Sequence, residues 1–223
     1  MPPRRRTASR SAPKTAPEAP QVPPAYDPPP DELGYRCDGV EFGPHPIPVT
    51  VADLDLRECR FAGTDLSGRV FTGLEVRDTV FDGCDLSGAV LDRAVLERVV
   101  FTGCRLTGTV LSGATLRDVR ISDCRADLLD LRMTRIAWLL AEDCDLRGAD
   151  LFELAATDAA LLRCDLTGAD LDRADLAGTR LHGSVLDGVR GALALRGARI
   201  DPEQQISLGA ALLAALGIEV TEP

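Results

Sequence analysis

The chain has 223 residues, 45 % of them hydrophobic, and a formal charge of −10. That is enough for one ordinary domain with a tail. An acidic chain of this kind is excluded as a direct binder of nucleic-acid phosphates, which needs Lys and Arg gathered on one face.

The charge is uneven along the chain. Residues 1–30 carry Arg4, Arg5, Arg6, Arg10 and Lys14 against Glu18 and Asp27, a net of +3, which leaves −13 for the remainder. Prolines crowd the same stretch, and almost nothing in it can be buried. Residues 1–33 are therefore expected to be a disordered tail of polyproline character, because such a segment cannot offset its ordering entropy. The basic start leads into Pro, Ala and Ser rather than an apolar run, so no secretory signal is expected. The most apolar stretch, Leu208 to Ile218, is too short to span a bilayer, and no membrane contact is expected. Seven cysteines without C-x-x-C pairs fit a reducing cytoplasm better than a disulfide framework.

Apolar residues return at Tyr35–Phe42, followed by the Pro-broken link GPHPIP, and residues 34–50 read as an N-terminal cap and link. A period of five then sets in over 51–190. Stepping by five from Leu56 to Leu186 gives 27 positions, of which 24 are Leu, Phe, Ile or Val and three are Ala126, Ala141 and Ala156. At 45 % apolar content, an unbroken run of this length has a chance probability on the order of 10⁻⁹. Two residues before each centre, 21 of 27 positions hold Ala, Cys, Ser, Thr or Val.

Neither a helix of period 3.6 nor a flat strand of period 2 keeps every fifth side chain on one side. A chain that turns a corner every five residues does. Four sides make a square coil of 20 residues, stacked on the next by backbone hydrogen bonds at about 4.8 Å. Every fourth centre gives the column Phe61, Phe81, Phe101, Ile121, Ala141, Leu161, Leu181, so phenylalanines are expected to stack at the N-terminal end. The expected fold is all-β: a right-handed, quadrilateral β-solenoid with a C-terminal capping α-helix.

That helix is expected at about 202–216 within a cap of residues 191–223. Asp201 suits the N-cap, Pro202 the first turn, Gln204 a capping box and Gly217 the stop. It has two apolar faces. Ile206, Ala210 and Leu213 lie on one; Leu208, Leu212 and Ala215 lie on the other. One seals the rod, and the second is expected to make a homodimer, assigned here to Leu208, Leu212 and Ala215.

Cys84, Cys104, Cys124, Cys144 and Cys164 form a ladder of spacing 20. A coil spacing of about 4.8 Å is too wide for a disulfide of about 2.05 Å or for a shared zinc, so these are expected to be buried structural thiols with no metal or other cofactor. Leu128, Met133 and Trp138 fall two after a centre, where other coils carry Gly or charged residues, with Phe152 one coil above Met133. Either the coil widens locally and admits them, or they form an apolar docking patch. Residues 142–175 hold ten acids against three arginines, a net of −7, and Asp130, Asp145, Asp150, Asp165, Asp170 and Asp175 are candidates for an acidic partner-binding surface. His45 and His182 have no nucleophile beside them, and enzymatic activity is not expected.

The units CDLSG, CRLTG, CDLTG, ADLDR and ADLAG resemble the A(D/N)LXX unit of the pentapeptide-repeat superfamily over about 140 residues. The ending GARID-x-x-Q, Gly197 to Gln204, followed by an apolar helix, is similar to the mycobacterial fluoroquinolone-resistance proteins of Mfp and Qnr type. The long basic tail departs from that pattern, and no projecting loop of the Qnr type is present. The resemblance implies a non-enzymatic DNA mimic that binds DNA gyrase and dimerises through its C-terminal helix. The competing reading is an interaction scaffold for another protein.

Overall fold

The computed structural model describes residues 17–23, 27, 35–44 and 46–221. His45 and the rest of the N-terminal tail lie outside them. The described chain winds into a parallel β-solenoid whose strands are β1 (Arg36–Asp38), β2 (Glu41–Phe42), β3 (Thr50–Ala52), β4 (Asp55–Arg57), β5 (Arg60–Ala62), β6 (Val70–Thr72), β7 (Glu75–Asp82), β8 (Val95–Thr102), β9 (Thr115–Ser122), β10 (Arg135–Glu142) and β11 (Ala155–Leu162). Strands β7 to β11 pair in order at a constant offset of 20, as in Val76↔Leu96 and Leu116↔Ile136. The four faces have centres beginning at Leu56, Phe61, Leu66 and Phe71. The first two carry the long strands; the third, and the fourth beyond the short β3–β6 pair, are held by single rungs such as Asp145↔Asp165 and Asp130↔Asp150.

Inward pointing of the centres produces the core. Phe42, Phe61, Phe81 and Phe101 stack with ring centroids 4.4, 4.8 and 4.8 Å apart, the coil spacing read directly from side chains. The residue two before each centre, Arg69 excepted, is buried too. At this position Thr64, Thr109, Thr134 and Ser184 each donate their hydroxyl to a carbonyl 22 or 23 residues earlier, at 2.8–2.9 Å, and Thr79 to the Arg77 carbonyl, whereas the buried Thr179 hydroxyl has no partner among the described residues. The Leu86 and Leu111 carbonyls also accept the N–H of Ala89 and Ala114, so there the hydroxyl fills a second lone pair and is itself satisfied inside the core, where an unpaired hydroxyl costs about 1–3 kcal/mol.

The residue two after each centre turns the corner in the left-handed region. Gly68 and Gly88 occupy it at φ 62 and 64, but so do Asp78, Arg98, Asp118, Leu128, Met133 and Trp138 at φ 51–70. A side chain there costs roughly 1–2 kcal/mol against glycine, so the fold tolerates this strain at many corners.

Both ends of the stack are finished by rungs of offset 19. Residues 36–38 and 41–42 pair with 55–57 and 60–61, so the stretch before residue 51 adds a further coil with Cys37, Phe42 and Ile47 in the core. At the far end Arg199 bridges Arg180, and a 3-10 turn (Pro202–Gln204) leads into α1 (Gln205–Ala215). Gln204 is buried: its amide donates to the carbonyls of Leu181 and Ser184, and its Oε1 accepts the Asp201 N–H at 2.7 Å. Asp201 in turn accepts the Gly183 N–H. The GARID-x-x-Q ending is thus a plug for the open backbone of the last coil. Gln204→Ala is expected to raise hydrogen exchange at Gly183 about tenfold, since losing these bonds costs on the order of 1–3 kcal/mol locally; unchanged exchange would show that the plug does not hold the end.

Candidate functional surfaces

The six candidate aspartates are spread over three faces. Asp145 and Asp165 precede centres of the third face, Asp130, Asp150 and Asp170 of the fourth, and Asp175 of the first. All have a structural role. Each Oδ1 accepts the backbone N–H two residues on: Arg132, Arg147, Phe152, Thr167, Asp172 and Ala177 respectively for Asp130, Asp145, Asp150, Asp165, Asp170 and Asp175, at 2.9–3.2 Å. The aspartate closes the corner in the manner of an Asx turn, which is why the repeat favours it there.

Arginines neutralise four of the six. Arg147 meets Asp145 at 2.6 Å and Asp165 at 3.8 Å, Arg132 meets Asp150 at 3.7 Å, and Arg190 meets Asp170 at 2.9 Å. The Arg147 guanidinium, hydrogen-bonded to Asp145, holds that carboxyl below the usual carboxylate range. Among the described residues, Asp130 and Asp175 have no ion pair, and neither do Asp158 and Asp172. The last two were missed by counting columns, because they stand after their centres rather than before them.

Of the three apolar corner residues between 128 and 138, Leu128 and Met133 do not turn inward. Leu128 is 61 % and Met133 49 % exposed, while Trp138 is half-buried. Local widening therefore does not account for the first two. They occupy three successive corners of a square section, so Leu128 and Trp138 are diagonal and no flat partner reaches both. Leu128 leans over the next coil, where its Cδ2 lies 3.0 Å from the position a Cβ on Gly148 would take. Phe152 is held between guanidiniums, with Arg132 at 5.7 Å and Arg173 at 5.5 Å from its ring centroid, in cation–π geometry.

The cysteine ladder is internal. All seven thiols are free and buried. Cys84, Cys104, Cys124, Cys144 and Cys164 donate to the carbonyls of Phe61, Phe81, Phe101, Ile121 and Ala141 at 3.4–3.7 Å, in the same pattern as the hydroxyls of Thr64 and Ser184 at the ladder's ends. The neighbouring Cys104 thiol and burial push Cys84 up, and burial pushes Cys59 up to about 11, away from the reactive thiolate. His182 is exposed.

The assignment of Leu208, Leu212 and Ala215 to a dimer contact needs correction. Leu208 is only 6 % exposed and belongs to the core, and Leu212 packs against it. The cause is Gln204: once its side chain is fastened to the last coil, residues 204, 208 and 212 share the inward side of the helix. Ala215, nearer the end, is exposed. The outward face carries Ile206, 88 % exposed, together with Ala210 and the half-buried Leu213.

A family model described as a pentapeptide repeat region matches residues 54–121 and 94–171, which together span more than half of the 223 residues. The chain belongs to the pentapeptide-repeat family. Pentapeptide-repeat structures similar to it include QnrB1, a plasmid-mediated fluoroquinolone resistance protein, at 21 % identity over 83 % of this chain and 100 % of that one, with a TM-score of 0.36. Full-length QnrB1 matches at 20 % identity over 82 % and 100 % of the two chains, with a TM-score of 0.32. HetL, a pentapeptide-repeat protein of the cyanobacterium Nostoc sp. involved in regulating heterocyst differentiation, matches at 18 % identity over 76 % and 90 %, with a TM-score of 0.23. No curated protein is similar enough to count as a relative. Among the described residues no helix is long and apolar enough to cross a membrane.

Within a pentapeptide-repeat rod, glycine is the least strained residue at a corner, and Leu128 and Met133 gain little burial in exchange for replacing it. Leu128→Gly and Met133→Gly are expected to leave stability unchanged or raise it by up to about 1 kcal/mol, the relief of left-handed strain being partly offset by glycine's unfolded-state entropy. Thermal unfolding checks this: a loss above about 2 kcal/mol would mean that these side chains support the rod.

Proposed function

We propose that this protein is a non-enzymatic binding protein that presents an acidic rod, paired end to end, to the DNA-binding surface of a type II topoisomerase such as DNA gyrase. The observation that carries the reading is the charge of residues 142–175, ten acids against three arginines over 1.7 coils. At a coil spacing of 4.8 Å that stretch is about 8 Å long, over which B-DNA bears about five negative charges. A net of −7 meets that density. The whole repeat does not: its 6.75 coils, about 32 Å, carry −8 where DNA would carry about 19. The acidic segment lies toward the capped end, so in a dimer through that end two such segments flank the two-fold axis. The GARID-x-x-Q ending supports the same choice of partner.

The surface comprises Asp130, Asp145, Asp150, Asp165, Asp170 and Asp175, with Asp158 and Asp172 added. The carboxylates without an intramolecular arginine are the ones most open to a basic partner. Changing Asp130, Asp158, Asp172 and Asp175 together to Asn keeps an oxygen for the corner bonds of Asp130 and Asp175 and removes four charges. Purified protein is expected to inhibit gyrase supercoiling at micromolar concentration and low salt, less so as salt is added, and the four-fold variant to lose at least tenfold in potency. Supercoiling untouched at low salt would exclude the mimic and leave the scaffold reading.

Dimerisation belongs to the outward helix face. Ile206→Glu with Leu213→Glu is expected to give a folded monomer by sedimentation velocity. Leu208→Glu is expected to loosen the cap, because it places a charge inside the core. A native chain that is already monomeric at tens of micromolar would remove the dimer from this scheme.

A further inference from the structure

Residues 17–23, PEAPQVP, fall within the stretch expected to be disordered, yet they lie on the rod, fastened by backbone hydrogen bonds to its side chains, and have a period of their own. Pro17, Pro20 and Pro23 recur every third residue; Pro17 is buried and the other two are half-buried, while Glu18, Ala19, Gln21 and Val22 are exposed. That is the threefold pattern of a polyproline II helix with one edge against a surface.

Two backbone N–H groups on this segment are donated to buried carboxylates. Gln21 donates to Asp78 Oδ1 at 2.9 Å and Glu18 to Asp118 Oδ1 at 3.0 Å. Asp78 and Asp118 are 8 % and 4 % exposed and belong to one corner column, two coils apart. Residue number falls along the segment as coil number rises, so the segment runs lengthwise, across the strands. It adds no strand to a sheet; side chains, not the coil backbone, receive its N–H groups. Asp158, in the same column with the same left-handed backbone, is exposed.

The spacings agree. Two coils at 4.8 Å separate the carboxylates along the rod by about 9.6 Å, and three residues of polyproline II at about 3.1 Å each advance about 9.3 Å. The column thus repeats in step with every third residue of such a helix. Arg98, in the coil between, sets the geometry: its Nε and Nη2 grip Asp78 Oδ1 and Oδ2 at 2.7 Å, and Nη1 meets Glu97 at 2.5 Å. Asp78 is thereby fixed with an oxygen directed at the segment.

We propose that the Asp78–Arg98–Asp118 corner column is a recognition site for extended peptides with a Pro-x-x repeat in the polyproline II conformation, and that residues 17–23 are its resident ligand. The prolines supply the preformed helix and the packing edge, and the N–H of the residue after a proline supplies each polar contact. Another chain carrying the same repeat binds by displacing the resident segment, which competes at the high effective concentration of a tether.

In the native full-length chain, hydrogen exchange should protect the Glu18 and Gln21 amides at least tenfold more than those of Ala19 and Val22; equal protection sinks the proposal. The second measurement uses full-length protein carrying Pro17→Gly, Pro20→Gly and Pro23→Gly, and a fluorescent synthetic peptide of residues 15–25 followed by anisotropy. The variant should bind the peptide at least tenfold more tightly than the native chain does. Inserting one alanine after Pro20 of the peptide should abolish binding by breaking the step. Adding Asp118→Ala to the variant should weaken binding tenfold or more, with native-like circular dichroism as the control for folding. Equal binding by variant and native chain, including none by either, or unimpaired binding of the out-of-step peptide, would overturn it.

Discussion

Parallel backbone hydrogen bonding between successive coils is the constraint from which the rest follows. It holds neighbouring coils 4.8 Å apart, and that one distance dictates what each column can contain. Flat rings stack at that distance, so Phe42, Phe61, Phe81 and Phe101 form one pile. Sulfur atoms at that distance cannot bond one another, so five cysteines in a row remain thiols that serve carbonyls. Charges at that distance are strongly coupled, so aspartate columns are interleaved with arginines from the same corner or the next coil. A linear lattice of this kind converts residue spacing in the sequence into distance in space almost without loss.

That conversion explains which features were legible. The period of five, the offset of 20, the phenylalanine pile and the burial of the cysteines all follow from counting, because each depends on position along the lattice. The phase of the terminal helix does not. Its two faces are nearly equally apolar, and what decides between them is a polar residue, Gln204, whose partners at Leu181 and Ser184 belong to the preceding coil. The result reverses the roles of Leu208 and Ile206. The acidic surface was half legible for a similar reason: aspartate columns can be counted, but whether a given carboxylate is open depends on which rotamer an arginine two, eighteen or twenty residues away adopts. Asp158 and Asp172 count among the ten acids of residues 142–175 but fall outside the aspartate columns, because they stand after the centre.

Left-handed corners show how the rod separates structure from display. The core needs only the centre and the residue two before it; the corner residue must accept a strained backbone and is otherwise free. The 128–138 coil uses that freedom for Leu, Met and Trp where glycine suffices elsewhere. Strain is accepted there for side chains of which two, Leu128 and Met133, face outward.

The segment across Asp78 and Asp118 also changes the statistics of opening. A stack whose coils touch only their neighbours behaves as a one-dimensional chain, in which each interface frays or opens on its own account. A tie fastened two coils apart, with Arg98 bound into the coil between, adds a coupling to the second neighbour. Opening either interface beneath it strains both fastenings at once. Three coils are thereby joined into one cooperative block that contains Phe81 and Phe101 of the phenylalanine pile, while the coils before Asp78 and beyond Asp118 are left to ordinary pairwise cooperativity. The rod is uniform in shape but graded in how it comes apart.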